Sequence, residues 1–279
     1  VTTTSAAGCI SSAGTAAVTV NPYPLAPTAS SNGPLCTGTT LSLTASTIGG
    51  ATYSWSGPNS FSSALQNPTI ANITTANAGT YSVTATVAGC TGAAATVSVS
   101  ISVPQTTTPS SNSAICSGQT LSLTATTVIG ATYSWTGPNS FTSSSQNPTI
   151  TNATVGATGT YSVAVTVQGC TGTVTTTAVT INSSPATPTA GSNSPVCQGS
   201  TISLSSNTIA NSTYSWNGPN SFSSAVQNPT IANATTAEAG TYSVVATSTV
   251  TGCSSAAGTT SVTVNPPPSA PTLSSNDPV

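Results

Sequence analysis

The stretch of sequence that decides the fold is YSWSGPNSFSSALQNPTIANITTANAGTYSV, residues 53–83, which recurs almost unchanged at residues 133–163 and 214–244. Each copy has a tryptophan near its start and, at the same spacing in all three copies, a tyrosine in the motif Gly-Thr-Tyr-Ser-Val near its end. Self-similarity at a fixed period is the signature of a repeat protein. The sequence therefore predicts tandem units with a period of about 80 residues.

The period predicts three complete repeats with a partial one at each end. Junctions between repeats are rich in proline, as in Pro24–Pro27, and such linkers favour an extended, semi-rigid geometry. The predicted ranges are 1–22 for the end of a preceding repeat, 23–104, 105–183 and 184–266 for the three repeats, and 267–279 for the start of the next.

Charged side chains are almost absent: the chain has no Lys, Arg or His, and its only acids are Glu238 and Asp277. Binding to nucleic acid or to an anionic membrane surface requires cationic side chains. General acid–base catalysis and metal binding require carboxylate pairs or clusters of His and Cys. No apolar run is long enough to span a bilayer. We therefore expect no enzyme, no cofactor or metal, no nucleic-acid partner and no membrane insertion.

Apolar and polar residues alternate in the segments that flank the repeated tryptophan, as in Leu41–Ala45 and Tyr81–Val87. A period of two predicts half-buried β-strands, among them a strand at Ala16–Val20 in the partial first repeat, and no segment has a helical period. Gly-Pro-Asn-Ser at residues 57–60 predicts a turn, and Asn67-Pro68 predicts an extended approach to a short strand. The fold class is therefore all-β, and short strands separated by turns favour a β-sandwich.

Two features favour an immunoglobulin-like sandwich. The tryptophan lies on a middle strand, and the Gly-x-Tyr motif is typical of a tyrosine corner, whose hydroxyl bonds to the backbone at the preceding turn. We predict that these side chains form the core of each repeat: Trp55, Trp135, Trp216, Tyr81, Tyr161 and Tyr242.

The seven cysteines fall into two classes on the period. The upstream cysteines, which precede the Leu-Ser-Leu strand or its equivalent, are Cys36, Cys116 and Cys197. The downstream cysteines, which lie in a turn after Gly-Thr-Tyr-Ser-Val, are Cys90, Cys170 and Cys253, with Cys9 left over from the partial repeat. Buried free thiols are the alternative, but one pair per small repeat is typical of disulfide-stabilised extracellular domains. The predicted bonds are Cys36–Cys90, Cys116–Cys170 and Cys197–Cys253.

The combined motif SWxGPNSFxS, QNPTIxN, GTYSV and GC resembles the immunoglobulin-like or PKD-like repeats of very large surface proteins of gliding and predatory Bacteroidota. The resemblance covers essentially the whole chain. It implies export by type IX secretion and a place in an adhesin stalk or a surface filament, such as a gliding adhesin or a grappling-hook fibre.

Two motifs have alternative interpretations. The segment from Trp55 to Phe61 is either an aromatic platform for a sugar ring or, as we favour, a core tryptophan with Phe61, Phe141 and Phe222 over the sheet edge. Asn72, Asn152 and Asn233 begin glycosylation sequons at equivalent positions, and Asn182 and Asn211 begin two others. We favour turn residues over glycan acceptors at these positions.

The leading functional hypothesis is a structural segment of a long extracellular filament or adhesin stalk that bears tension at a cell surface. Near-zero net charge favours self-association into a filament or lateral bundle. Contacts without ion pairs are also insensitive to ionic strength. The alternative is a module that binds a glycan or a protein through its loops, but the loops are as uniform as the framework, which disfavours this alternative.

Overall fold

The computed structural model describes residues 1–272 and has the predicted all-β fold, a series of immunoglobulin-like sandwiches. The same order of strands occurs three times along the chain. The only helical elements of residues 1–272 are the 3₁₀ turns Thr75–Asn77, Val155–Ala157 and Thr236–Glu238. Asp277 and most of the predicted start of a next repeat, residues 273–279, lie outside the described residues.

The strands of the first repeat are β1 (Ala29–Ser31), β2 (Leu35–Cys36), β3 (Leu41–Ala45), β4 (Thr52–Gly57), β5 (Phe61–Ser63), β6 (Thr69–Ile70), β7 (Gly79–Val87), β8 (Cys90–Thr91), β9 (Ala95–Val99) and β10 (Ile101–Ser102). Those of the second are β11 (Pro109–Ser111), β12 (Ile115–Cys116), β13 (Leu121–Ala125), β14 (Ala131–Gly137), β15 (Phe141–Ser143), β16 (Thr149–Ile150), β17 (Gly159–Val167), β18 (Cys170–Thr171), β19 (Thr175–Val179) and β20 (Ile181–Asn182). Those of the third are β21 (Ala190–Ser192), β22 (Val196–Cys197), β23 (Ile202–Ser206), β24 (Ser212–Asn217), β25 (Ser223–Ser224), β26 (Thr230–Ile231), β27 (Gly240–Ser248), β28 (Gly258–Val262) and β29 (Val264–Asn265).

Each repeat is built from two antiparallel sheets and one short parallel ladder. In the first repeat, β3 lies between β1 and β6, while β4 and β7 form the centre of the other sheet. The parallel ladder joins β2 to β10 and places Cys36 opposite Ser102. The last strand of the repeat therefore ends beside the upstream cysteine.

Period-two alternation produces the core as predicted. Leu41 and Leu43 on β3 are fully buried, whereas Thr44 beside them is exposed. Trp55 on β4 lies opposite Val83 on β7, and both side chains are buried. Packing between the two inner faces forms the core of a sandwich.

The turn between β4 and β5 explains the invariant Gly-Pro-Asn-Ser. Asn59 and Ser60 have φ angles of 55° and 56°, and Phe61 N donates to Pro58 O across the turn. Two central residues with positive φ form the hairpin turn whose twist matches that of the flanking strands. Asn tolerates this conformation better than most residues.

The strand predicted at Ala16–Val20 is not formed. Residues 11–28 contain no strand and are mostly exposed, because no neighbouring strand is available to pair with this segment. Residues 1–14 contain one short hairpin instead, closed by a bridge between Thr4 and Ile10.

The chain divides into two compact units. The first comprises residues 1–107, 127–133 and 164–175, and the second comprises 108–126, 134–163 and the chain from 176 onward. The division passes through the second repeat, so the hairpin that carries Cys170 belongs to the same unit as the first repeat. The predicted repeat boundaries stay a prediction.

Candidate functional site

The structure places the six predicted core aromatic residues inside. Trp55 is 1% exposed, and the other two tryptophans and the three tyrosines are completely buried. The tyrosine hydroxyls donate to a backbone carbonyl four residues earlier: Tyr81 to Asn77 O (2.8 Å), Tyr161 to Ala157 O (2.9 Å) and Tyr242 to Glu238 O (2.8 Å). Burial raises the pKa of each of these phenols. These contacts form the tyrosine corner of an immunoglobulin-like domain.

The alternative of a sugar-binding aromatic platform has no geometric support. Each indole N–H donates to a backbone carbonyl inside its repeat, as Trp55 does to Gln66 O at 3.1 Å. Phe61 contacts the buried Tyr81 edge to face, with ring centroids 5.5 Å apart. Since the indole faces are buried, they offer no surface on which a sugar ring could stack.

The sequon asparagines at the three equivalent positions occupy exposed turns, whereas Asn182 lies half-buried on β20, so the turn predicted for it is wrong. Asn72, Asn152 and Asn233 have φ angles of 51°, 49° and 54°, which is the left-handed region that Asn tolerates. A turn role accounts for the residue type, and the exposed position also leaves the side-chain amide open to a glycan. Glycosylation at these positions stays a prediction.

Each disulfide joins two different repeats. Cys36 bonds to Cys170, with Cα atoms 5.5 Å apart, and Cys116 bonds to Cys253, with Cα atoms 5.6 Å apart. An upstream cysteine is thus joined to the downstream cysteine of the following repeat. The sequence separations are 134 and 137 residues.

The predicted bonds Cys36–Cys90, Cys116–Cys170 and Cys197–Cys253 are therefore wrong, as is the expectation of one disulfide within each repeat. Cys90 and Cys197 are free. The reason is that the two cysteines of one repeat lie at opposite ends of the sandwich. Cys36 is opposite Ser102, beyond the beginning of β7, whereas Cys90 follows the end of β7. The nine residues of β7 span roughly 27 Å at about 3.3 Å per residue, far beyond the Cα separation a disulfide allows.

The first junction is closely packed around Cys170, which is 1% exposed. Ser102 Oγ donates to Gln168 Oε1 beside the disulfide. Gly172 lies so close to the linker that a Cβ built on it would be 1.5 Å from Gln105 O. The hairpin that carries Cys170 therefore packs against both the end of the first repeat and the linker between the first and second repeats.

The second junction also buries its downstream cysteine. Cys253 is completely buried, and Gln119 Oε1 accepts from the backbone N–H of Cys116. A cleft of about 270 Å³ lies beside it, and its lining includes Pro185, Ile209 and Val250. Each of the two junctions is a candidate functional site, because it connects two repeats covalently.

The third repeat carries the only acid of the described chain, Glu238. Its carboxylate accepts hydrogen bonds from Thr235 Oγ1 (2.6 Å), Asn220 Nδ2 (2.6 Å) and Thr235 N (2.7 Å). The bonds from Thr235 and Asn220 lower the pKa of Glu238. Asn77 caps the equivalent turn of the first repeat, and Ala157 in the second repeat cannot do so.

We expect the free energy of unfolding to depend on Glu238 at acid pH. A lowered pKa in the folded state contributes stability that is present above the ordinary carboxyl pKa and is lost as pH falls through the lowered value. Urea unfolding between about pH 7 and pH 2 should show this loss, and Glu238→Gln should remove it, since Gln still accepts a hydrogen bond but does not titrate. Identical pH profiles for the two proteins would contradict this prediction.

Residues 1–272 contain no group of three His, Cys, Asp or Glu side chains that could hold a metal ion. No helix within the same residues is long and apolar enough to cross a membrane.

No protein-family model matches the sequence, and neither does any curated protein. The chain is similar in structure to the three N-terminal domains of the highly immunogenic outer capsid protein of bacteriophage RB49, with 16% identity over 88% of this chain and 100% of that chain and a TM-score of 0.39. It is also similar to the Ig1–Ig3 ectodomain of mouse nectin-like molecule 4, with 13% identity over 89% of this chain and 100% of that chain and a TM-score of 0.37.

Proposed function

We propose that this chain is a structural segment of a long extracellular repeat filament or adhesin stalk, which bears tension and mediates cell-surface attachment or the capture of prey or substrate. The observation that carries the proposal is that each disulfide joins one repeat to the next. A bond within a repeat would stabilise only that repeat, whereas a bond between repeats transmits force along the chain.

The packing of the hairpin that carries Cys170 also supports a role in bearing tension. Cys170 and its neighbour Gln168 contact the first repeat at the disulfide and at Ser102, and Gly172 lies against Gln105 in the linker between the two repeats. Force applied through the linker is therefore shared with a covalent bond and with the packing around it. Such a junction resists bending and extension more than a linker alone does.

An extracellular location is supported by the disulfides, which persist in oxidising compartments. The resemblance of the repeats to those of giant Bacteroidota surface proteins adds a cell-surface location and type IX secretion to the proposal. The scarcity of charge, with two acids and no basic side chain, supports lateral association that does not depend on ion pairs.

The alternative is a module that binds a glycan or a protein, and the cleft beside the second junction favours it. Its lining combines the apolar Ile209 and Val250 with the polar Ser184 and Asn211. A cleft of this kind would bind its glycan or protein ligand independently of the disulfide at the second junction.

Binding assays separate the two proposals. The oxidised 279-residue chain is applied to a glycan array and to cell surfaces, with Val250→Ser as the matched variant, since Val250 is exposed and lies outside both disulfides. A structural segment should show no saturable binding. Saturable binding that Val250→Ser weakens at least tenfold would support the binding module instead.

A further inference from the structure

The two disulfides divide the chain between them into three segments. The first disulfide joins Cys36 to Cys170, and the second joins Cys116 to Cys253. The backbone therefore runs between these two disulfides three times, over residues 37–115, 117–169 and 171–252. Since every segment begins at one disulfide and ends at the other, the three segments are covalently connected in parallel.

Each segment contains most of the core strands of a different repeat. These are β3–β10 of the first repeat in the first segment, β13–β17 of the second repeat in the second, and β21–β27 of the third repeat in the third. An equivalent leucine is buried in each segment: Leu43 on β3, Leu123 on β13 and Leu204 on β23. The cores of the three repeats therefore lie in three parallel segments.

The folded first repeat limits how far the two disulfides can separate. Strand β10 pairs with β2, so Ser102 lies opposite Cys36, and Thr37 N donates to Ser102 O at 3.0 Å. Only residues 103–115 are then left to reach from the first repeat to the second disulfide, and fully extended they span roughly 50 Å. Residues 117–169 would span roughly 180 Å if they were drawn out alone. Tension therefore cannot draw out the second repeat while the first repeat stays folded.

We propose that the two disulfides make the three repeats resist extension together, so that the unfolding of any one repeat releases little length. This inference rests on the proposed tension-bearing role and specifies how the load is shared. Without the disulfides the repeats are connected in series, and the weakest repeat extends as soon as it unfolds. With them, a repeat that unfolds becomes a slack segment, because the other two segments still hold the two disulfides together.

The strands outside the two disulfides set the small length that can still be released. Strands β1 and β2 of the first repeat end at the first disulfide, and β28 and β29 of the third repeat follow the second. Residues 29–36, which include β1 and β2, span at most roughly 30 Å when extended. Unfolding of the first repeat in the disulfide-bonded chain therefore gives a far shorter step than the roughly 200 Å that the same repeat gives in series.

Single-molecule extension of the 279-residue chain, held by tags at its two ends, tests the proposal with a weakened first repeat. Leu43→Ala leaves a cavity in the core of that repeat and lowers its stability. In the chain that also carries Cys36→Ser and Cys116→Ser, which forms neither disulfide, Leu43→Ala should add an early step of roughly 200 Å at low force. In the chain with both disulfides, the same substitution should add no step longer than roughly 30 Å.

Ser54→Ala is the matched control, because Ser54 is exposed on β4 and its replacement leaves the core intact. It should behave as its parent chain does, with or without the disulfides. Should Leu43→Ala leave the first repeat unfolded from the start, the chain without disulfides would begin roughly 200 Å longer, and the disulfide-bonded chain would begin at nearly the wild-type length.

An early step of roughly 200 Å in the disulfide-bonded Leu43→Ala chain would overturn the proposal. So would a disulfide-bonded Leu43→Ala chain that begins longer than wild type by that amount. Repeats that extend one after another would still form a stalk, so either result would leave the proposed function standing.

Discussion

Reduction of both disulfides should lengthen the fully extended chain by about 550 Å, at about 3.4 Å per residue. The covalent path of the oxidised chain runs from the N-terminus to Cys36, crosses to Cys170, returns to Cys116, crosses to Cys253 and continues to the C-terminus. That path is about 115 residues long, or roughly 390 Å, against roughly 950 Å for the reduced chain. Single-molecule extension with and without reductant measures the difference directly.

Because the two disulfide-closed segments overlap in sequence, removing one bond should release little chain. With Cys36→Ser or Cys116→Ser, the remaining disulfide still bypasses most of the sequence, and the gain is only roughly 100 Å. Removing both bonds should give the full gain of about 550 Å, which is far more than the sum of the two single effects. Bonds within each repeat would instead give additive gains.

Cys90→Ser is the control for this measurement. Cys90 is free, so its replacement should leave the extended length unchanged. Were Cys90 bonded to Cys36, the same substitution would release the chain between them and add roughly 180 Å at about 3.4 Å per residue. A gain of that size in Cys90→Ser would contradict the junction pairing.

Gly172→Ala should destabilise the first junction strongly. A Cβ at this position would lie 1.5 Å from Gln105 O and 2.6 Å from Gln105 C, so the linker must move away from the hairpin. Overpacking typically costs 1–3 kcal/mol, and a clash with backbone atoms places this substitution at about 3 kcal/mol or more. Urea unfolding followed by tryptophan fluorescence measures the loss in free energy of unfolding.

Gly49→Ala is the matched control, since nothing lies within 4 Å of a Cβ at Gly49. It makes the same chemical change on an open surface and should alter the free energy of unfolding by less than about 0.5 kcal/mol. Equal unfolding midpoints for the two variants would show that the hairpin is not seated on the linker.

The fold could be predicted from the sequence because its signals are local. Alternation in Leu41–Ala45 identifies a strand with one buried face, and Gly-Thr-Tyr identifies the corner at Tyr81 from the motif alone. Because the sequence repeats, an assignment made for one repeat also holds for the other two. The prediction of a strand at Ala16–Val20 is wrong, because strand formation also needs a neighbouring strand, which the local sequence does not reveal.

The disulfide pairing could not be obtained from spacing, because spacing along the chain says nothing about which end of a sandwich a residue occupies. The topology contained the missing signal. Cys36 precedes β3, at the end of the sandwich where β10 finishes, and Cys90 follows β7 at the opposite end. The linker after β10 leads to the next repeat, so the cysteine that Cys36 can reach is the downstream one of that repeat.

The disulfide map of the intact oxidised chain tests the covalent joining of repeats most directly. Peptic digestion at low pH, which suppresses thiol–disulfide exchange, followed by mass spectrometry of the unreduced peptides, identifies the bonded pairs. The expected result is Cys36 with Cys170 and Cys116 with Cys253, with Cys90 recovered as a free thiol. Peptides that join Cys36 to Cys90 and Cys116 to Cys170 would contradict the account.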